Sequence, residues 1–189
     1  REQADRGILD DITGGYLPVT EQSIEAVQPF TCRVLDEAGQ QALARAHREL
    51  LQAAAAHPVG TEVACCYGLD MQPLSKIIIS GQQGRVRIPD QDVPYIAAHT
   101  HPSGLTFSPS DIRRFALREN MRMLTAVSND GTVYEKTAQF DRSGLLALFR
   151  DSEIRLAAAE DPKELQEIMQ QLLKEAKQYG ANFYAGRDR

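Results

Sequence analysis

The sequence predicts an α/β protein in which a mixed β-sheet is flanked by helices, with extra helices at the C-terminus. Short apolar segments typical of strands alternate along the chain with longer segments of helical periodicity. Asn129, Asp130 and Gly131 form a turn signal between two strand-like segments, which predicts an antiparallel hairpin. A helix-like segment separates two other predicted strands. The sheet is therefore expected to contain more than one kind of strand pairing.

The composition is that of a folded globular protein. The chain has 189 residues, of which 42% are hydrophobic and 25% are charged, and its 26 acidic and 21 basic residues give a net charge of −5. This acidic balance argues against a general nucleic-acid binder. Two of the three cysteines, Cys65 and Cys66, are adjacent and suit a disulfide framework poorly, so a reducing, cytoplasmic location is expected. No apolar run is long enough to span a membrane.

Three regions are expected along the chain. Residues 1–30 contain few apolar positions and are predicted to be an N-terminal arm or the remnant of an upstream region. Residues 31–140 should form the core. It would start with a strand over 31–35 and a helix from Asp36 that Pro58 and Gly60 end.

Further strands are predicted in the core over 62–67, 74–80, 84–88 and 95–101, followed by a helix over 109–120 and strands over 123–127 and 132–136. Residues 141–189 are expected to form a helical extension. One helix should cover 143–156, and Asp161, Pro162 and Glu164 signal the start of the next. Its apolar stripe is expected to pack on the chain itself.

The chemically informative segment is the end of the predicted strand 95–101. His99 and His101 are two positions apart, so both rings should point to the same side of the sheet. Ser108 has the character of a helix cap, with Pro109 at the first helical position and Asp111 at the third. Asp111 could serve in the cap and also bind a metal beside the histidines.

Glu62 begins an apolar strand, where an unpartnered carboxylate would be costly to bury. It is either an exposed acid at the start of a strand or a functional group. Two histidines and one carboxylate would leave a zinc ion an open position for water, and a glutamate outside the ligand set could take a proton from that water.

Together, Glu62 on a strand, the sequence His99-Thr100-His101-Pro102, and Ser108 followed by Asp111 resemble the signature of the JAMM (MPN+) zinc metalloproteases, in their prokaryotic form. The resemblance covers about residues 31–137. It implies the cytidine-deaminase-like JAMM/MPN fold and hydrolysis of peptide or isopeptide bonds, notably beside ubiquitin-like C-terminal tails.

Carried over to this chain, the resemblance implies that His99, His101 and Asp111 bind Zn²⁺, that Glu62 is general acid and base, and that Ser108 stabilises the oxyanion. The chain departs from the eukaryotic deubiquitinases in the short spacing from Pro102 to Ser108, and Cys65 stands where the family often has glycine. Only 37 positions separate Glu62 from His99, which leaves little room for long ubiquitin-binding insertions. A narrow protein or peptide substrate is expected.

The sequence also permits functions other than hydrolysis. The sequence around His101 and Pro102 resembles the MPN domain of a bacterial DNA-repair-associated family, and Arg114, Arg118 and Arg122, spaced by four, are predicted to form one stripe on the helix after Asp111. That stripe could bind phosphates, or the acidic surface of a substrate. A phage-associated module or a scaffold without chemistry is the remaining option. Deamination is disfavoured because Cys65 and Cys66 are adjacent rather than spaced as a zinc-binding pair.

Overall fold

A computed structural model of the chain describes residues 16–32, 34–102, 107–128, 133–137, 142–179 and 183–185. In chain order, the elements are α1 (Glu21–Glu25), α2 (Glu37–Ala55), β1 (Thr61–Gly68), β2 (Ile78–Gln83), β3 (Tyr95–His101), α3 (Pro109–Leu117), β4 (Met121–Ser128), β5 (Val133–Thr137), α4 (Arg142–Ala158), α5 (Pro162–Glu175), a 3₁₀ helix (Ala176–Tyr179) and β6 (Phe183–Ala185).

The strands form one sheet in the order β2-β1-β3-β4-β5-β6. β3 and β4 are parallel, and every other neighbouring pair is antiparallel. The predicted mixed α/β architecture is therefore confirmed. Because α3 connects two parallel strands, it must start at the end of β3 and return to the start of β4. The carboxyl end of β3 thus lies beside the first turn of α3.

The two faces of the sheet are covered by different helices. Alternating side chains of the central strands contribute to two separate core clusters. One cluster joins the sheet to α2 and to residues that precede it, including Val27, Phe30 and Leu35. The other joins the sheet to α3, α4 and α5. The chain therefore forms three layers, with the sheet between two layers of helices.

The predicted helix starts are confirmed by their caps. The Asp36 carboxylate accepts a hydrogen bond of 2.8 Å from the Gly39 N–H at the start of α2. Asp161 accepts one of the same length from Glu164 N–H at the start of α5, where Pro162 is the first helical residue. The apolar stripe of α5 is buried in the core of the chain, as predicted.

Cys65 and Cys66 are buried on β1 and neither forms a disulfide. The Cys66 thiol lies 3.8 Å from the Pro89 carbonyl oxygen, and burial raises its pKa to about 11. A thiol that stays protonated at neutral pH is a poor nucleophile. Cys66 is therefore a packing residue of β1, and Cys65 is buried in the cluster on the opposite face of the sheet.

Some predicted elements are wrong. Residues 31–35 do not form a strand where they are described; they lead into α2, and Leu35 is buried beneath it. β2 starts at Ile78, four residues later than predicted, and 84–88 is not a strand, although Val86 and Ile88 are buried. These apolar side chains fill the core without making a strand ladder. The alternation of apolar and polar residues does not distinguish a segment that forms a strand from one that only packs in the core.

Residues 16–30 are also more than an arm, because they form α1 and contribute Val27 and Phe30 to the core. The predicted turn at 129–131 lies outside the described residues, while β4 and β5 pair antiparallel as a hairpin requires. None of the helices in the described ranges has the length and apolar composition needed to cross a membrane.

Truncation of Phe115 tests the packing of α3 on the sheet. Its side chain is fully buried in the cluster that includes α4 and α5. Phe115→Ala is expected to lower the free energy of unfolding by about 3–5 kcal/mol, measured by urea denaturation. Leu117→Ala on the same helix is the control, because Leu117 is 57% exposed and its loss should cost less than about 0.5 kcal/mol. Equal costs would mean that α3 is not packed as described.

Candidate metal centre

Three metal-ligating side chains converge where β3 ends and α3 begins. His99 and His101 lie on the face of β3 that also carries Tyr95 and Ala97, and this face is turned toward α3. Asp111 is in the first turn of α3. All three residues are buried, and one ligand atom from each lies within 4.8 Å of the other two. The group could therefore hold a metal ion.

The distances between the ligand atoms suit a small tetrahedral ion. His99 Nε2 lies 2.8 Å from His101 Nε2 and 3.4 Å from Asp111 Oδ1, and His101 Nε2 lies 3.1 Å from Asp111 Oδ2. Ligands bound at about 2.0–2.2 Å around a tetrahedral ion are about 3.3 Å from one another. The three donors thus need to move only a little to surround one ion, and two nitrogens with one carboxylate form a donor set that suits zinc.

Hydrogen bonding determines which nitrogen of His99 faces the site. His99 Nδ1 lies 2.8 Å from the carbonyl oxygen of Thr125 on β4. A carbonyl oxygen can only accept, so Nδ1 carries the proton and donates it. In the neutral ring, Nε2 then has the lone pair that a metal requires. The strand next to β3 therefore prepares His99 as a ligand.

Asp111 takes part in the helix cap and in the candidate site at the same time. Its Oδ2 accepts a hydrogen bond of 2.9 Å from the Ser108 N–H, and its own N–H donates to Ser108 Oγ at 3.2 Å. This is the predicted capping box. Arg114 Nη1 lies 3.5 Å from Oδ1. The helix N-terminus and the guanidinium thus both place positive electrostatic potential beside this carboxylate.

Ser108 is buried, and its hydroxyl has a second partner besides the cap. Its Oγ lies 3.0 Å from Ser110 Oγ, and either hydroxyl could donate. A hydroxyl has one proton to donate and two lone pairs, so Ser108 can accept from Asp111 N–H and still donate. The predicted cap and a hydrogen-bonding role toward substrate are therefore compatible.

Glu62 is fully buried near the start of β1, on the face that also carries Ala64 and Cys66. Ala64 is paired with His99, so Glu62 lies toward the end of the sheet that carries the histidines. Just beyond the last pair of residues between β1 and β3, Thr100 Oγ1 accepts a hydrogen bond of 3.1 Å from Val63 N–H. The Thr100 side chain therefore ties the start of β1 to β3 beside Glu62. Burial contradicts the alternative that Glu62 is an exposed acid.

The N-terminal segment lies against the same end of the sheet. Leu17 N–H donates to the Pro102 carbonyl oxygen at 2.7 Å, directly after His101. The Tyr16 ring packs on Gly60, where an added Cβ would lie 2.6 Å from the ring and where φ is +95°. Gly60 is required here both for its conformation and for this close approach.

The predicted arginine stripe is wrong. α3 ends at Leu117, so only Arg114 lies within the helix. Arg118 caps the helix and donates to the Ile88 carbonyl oxygen, and Arg122 is an exposed residue of β4. A spacing of four produces one face only in a continuous helix. Arg114 remains near the site because it contacts Asp111.

Sequence reasoning did not identify two residues that support His99 from the far side of the sheet. His47 on α2 is fully buried, and its Nε2 lies 2.7 Å from Thr125 Oγ1. His47 shares its helix face with Leu43 and Leu50, which was the available signal that it is buried. Nothing in the sequence relates that face to Thr125, because the contact joins two residues that are 78 positions apart.

Metal content tests the site directly. After zinc loading and removal of free metal, about one equivalent of zinc per chain is expected by elemental analysis, since two imidazoles and a carboxylate form one site. Replacing both His99 and His101 with alanine should abolish this binding. The control is His57→Ala, which changes an exposed histidine. The site would be contradicted if the unmodified protein bound less than half an equivalent of zinc. It would also be contradicted if zinc binding were lost in His57→Ala but kept in the double alanine variant.

The buried His47 should also make stability depend on pH. Burial, and secondarily the nearby His99, lower its pKa to about 3, whereas the unfolded chain takes up this proton near pH 6.5. Between these values the unfolded state binds more protons, so stability decreases as the pH falls.

In the metal-free protein, the drop in unfolding free energy from pH 7 to pH 5 should be about 2 kcal/mol larger than in His47→Leu. Urea denaturation at the two pH values measures it. An equal pH dependence in both proteins would show that His47 is not buried in its neutral form.

Comparison of the chain with models of known protein families, with curated proteins and with solved structures gives no match.

Proposed function

We propose that this protein is a zinc-dependent hydrolase that cleaves a peptide or isopeptide bond, as its resemblance to the JAMM (MPN+) signature implies. The observation that carries the proposal is the buried group of His99, His101 and Asp111, with a second buried carboxylate, Glu62, toward the same end of the neighbouring strand. Three protein ligands leave a zinc ion one open position, which is the arrangement of catalytic rather than structural zinc sites.

His99, His101 and Asp111 would hold the ion. When bound, zinc supplies a Lewis acid that polarises a substrate carbonyl and lowers the pKa of water to about 7. The residues keep the ligand atoms oriented without substrate, because Thr125 fixes the His99 tautomer and the Ser108 N–H holds Asp111. Such preorganisation reduces the rearrangement needed during the reaction.

Glu62 would act as general base and then as general acid. It takes a proton from the attacking water and passes it to the leaving amine, so that the carboxylate is regenerated at the end of the cycle. Its position supports this role, since Glu62 is buried toward the end of β1 that adjoins the histidines and a general base must lie close to the water that it deprotonates.

Ser108 would stabilise the oxyanion that develops on the substrate carbonyl. Its hydroxyl already accepts the Asp111 N–H in the cap and can donate its proton to a substrate oxygen. The substrate class that fits the family resemblance is an extended protein or peptide tail, with ubiquitin-like C-termini as one candidate.

The alternative of a nucleic-acid-binding module depended on an arginine stripe. Since Arg122 lies on β4 rather than on α3, and Arg114 and Arg118 are engaged in contacts within the chain, no observation among the described residues favours that alternative. A scaffold role is likewise not favoured, because it gives no reason to bury two histidines and two carboxylates together.

Glu62→Gln separates metal binding from chemistry. The variant should retain zinc but lose at least about 10²-fold in cleavage rate, because an amide cannot accept the proton of water. Zinc-loaded protein would be incubated with peptides from a digested proteome and with a peptide fused to the ubiquitin C-terminus, and new termini would be identified by mass spectrometry. Glu49→Gln is the control, since Glu49 is exposed on α2. Cleavage at the unmodified rate by Glu62→Gln, or no cleavage of any probe by the zinc-loaded unmodified protein, would contradict the proposal.

Ser108→Ala tests the oxyanion role against simple capping. Loss of one cap should cost about 1 kcal/mol of stability, whereas loss of an oxyanion donor should lower the rate roughly 10²-fold. Asp161→Ala removes a comparable cap from α5 and should leave the rate unchanged. Denaturation and the cleavage assay would be run on both variants. If Ser108→Ala loses stability but keeps its rate, the residue is only a cap.

A further inference from the structure

A line of hydrogen bonds passes through the sheet from α2 to the candidate metal centre. On the α2 face, His47 Nε2 lies 2.7 Å from Thr125 Oγ1. The carbonyl oxygen of the same Thr125 accepts the Nδ1–H of His99 at 2.8 Å. All three residues are fully buried. A side chain in the helical layer opposite to α3 is thus two hydrogen bonds away from a candidate ligand.

His47 is a costly residue for its position. Its ring is fully buried among apolar residues of α2 and the sheet, and within the described part of the chain its Nδ1 has no hydrogen-bond partner. Burial lowers its pKa to about 3, so the ring is neutral at physiological pH. A leucine at this position would bury no unsatisfied polar atom. Packing by itself therefore does not explain a histidine here.

The hydrogen bond with His47 restrains Thr125, a residue that also contacts the metal centre through its carbonyl oxygen. Thr125 occupies the central strand β4, directly beside β3, and pairs with Ala98. A hydrogen bond from α2 to its hydroxyl limits rotation of the side chain and holds this part of β4 against the helix. The peptide carbonyl that meets His99 belongs to the same residue, so a contact that holds Thr125 in place also holds this carbonyl in place. The groups that orient a metal-binding histidine commonly affect metal affinity strongly.

We propose that His47 is a positioning residue for the metal centre, which acts by holding Thr125 so that its carbonyl oxygen fixes the tautomer and direction of the His99 ring. The inference rests on the proposed metal site. His47 does not contact the ion or substrate. Because its ring is neutral, it also adds no positive charge behind a ligand of a cation.

The test replaces both polar partners with apolar ones, in the double variant His47→Leu and Thr125→Val. This change removes the hydrogen bond and leaves no orphaned partner, so urea denaturation should show stability equal to or above that of the unmodified protein. Titration with Co²⁺, followed by its visible absorption, should show affinity lowered roughly 10-fold and an altered band shape. Leu50→Ala is the matched control on the same buried face; it should lower stability and leave the Co²⁺ titration unchanged.

Two further measurements keep the test decisive. Thr125→Ser retains the hydroxyl and should bind Co²⁺ with the affinity of the unmodified protein. Thr125→Val alone should bind Co²⁺ more weakly, which keeps the proposal testable if the double variant does not fold. In the metal-free protein, ¹⁵N NMR of His99 should show the Nδ1–H tautomer, and this preference should decrease in the double variant.

The outcomes separate this inference from the proposed function. If the unmodified protein binds neither Co²⁺ nor Zn²⁺, the metal site itself is refuted. If it binds them and the variants lacking the hydrogen bond retain the same affinity, band shape and His99 tautomer, only the role of His47 is overturned.

Discussion

The parallel pairing of β3 with β4 is the constraint on which the rest of the structure depends. Two adjacent parallel strands require a crossover, and α3 supplies it. The crossover brings the N-terminus of α3 to the end of β3, where the strand has presented two histidines to one face. Without this connection, Asp111 would not reach His99 and His101. One element of topology therefore creates both the centre of the sheet and the candidate metal centre.

The site is made from groups that are costly to bury, and the surrounding backbone offsets much of this cost. The Asp111 carboxylate receives the Ser108 N–H in the helix cap, and the His99 ring donates to the Thr125 carbonyl. Thr100 satisfies the Val63 N–H where the ladder of β1 and β3 ends. The same bonds that satisfy these polar groups also orient them. Stability and function thus share their interactions in this region.

The central strands must serve both faces of the sheet at once. Small side chains such as Ala64, Ala97 and Ala126 allow α3 and the helices behind it to pack closely on one face. On the other face, α2 covers a cluster that includes Cys65 and Ala98. Since every residue of β3 is buried, a substitution on one face of the sheet can shift this strand and thereby affect the packing on the other face. Thr125, with its side chain on one face and its carbonyl bonded to a residue of the other, is the clearest example.

The sequence by itself determined the local features, because these depend on neighbouring residues. The caps at Asp36, Ser108 and Asp161, the strand 95–101 and the common face of His99 and His101 all follow from spacing and side-chain chemistry. Tertiary structure alone decided the features that depend on distant partners. It ended α3 early enough to disperse the predicted arginine stripe, turned the predicted strand at 31–35 into core packing, and placed His47 against Thr125. Periodicity describes which face of an element is apolar, but it does not say which other element that face will meet.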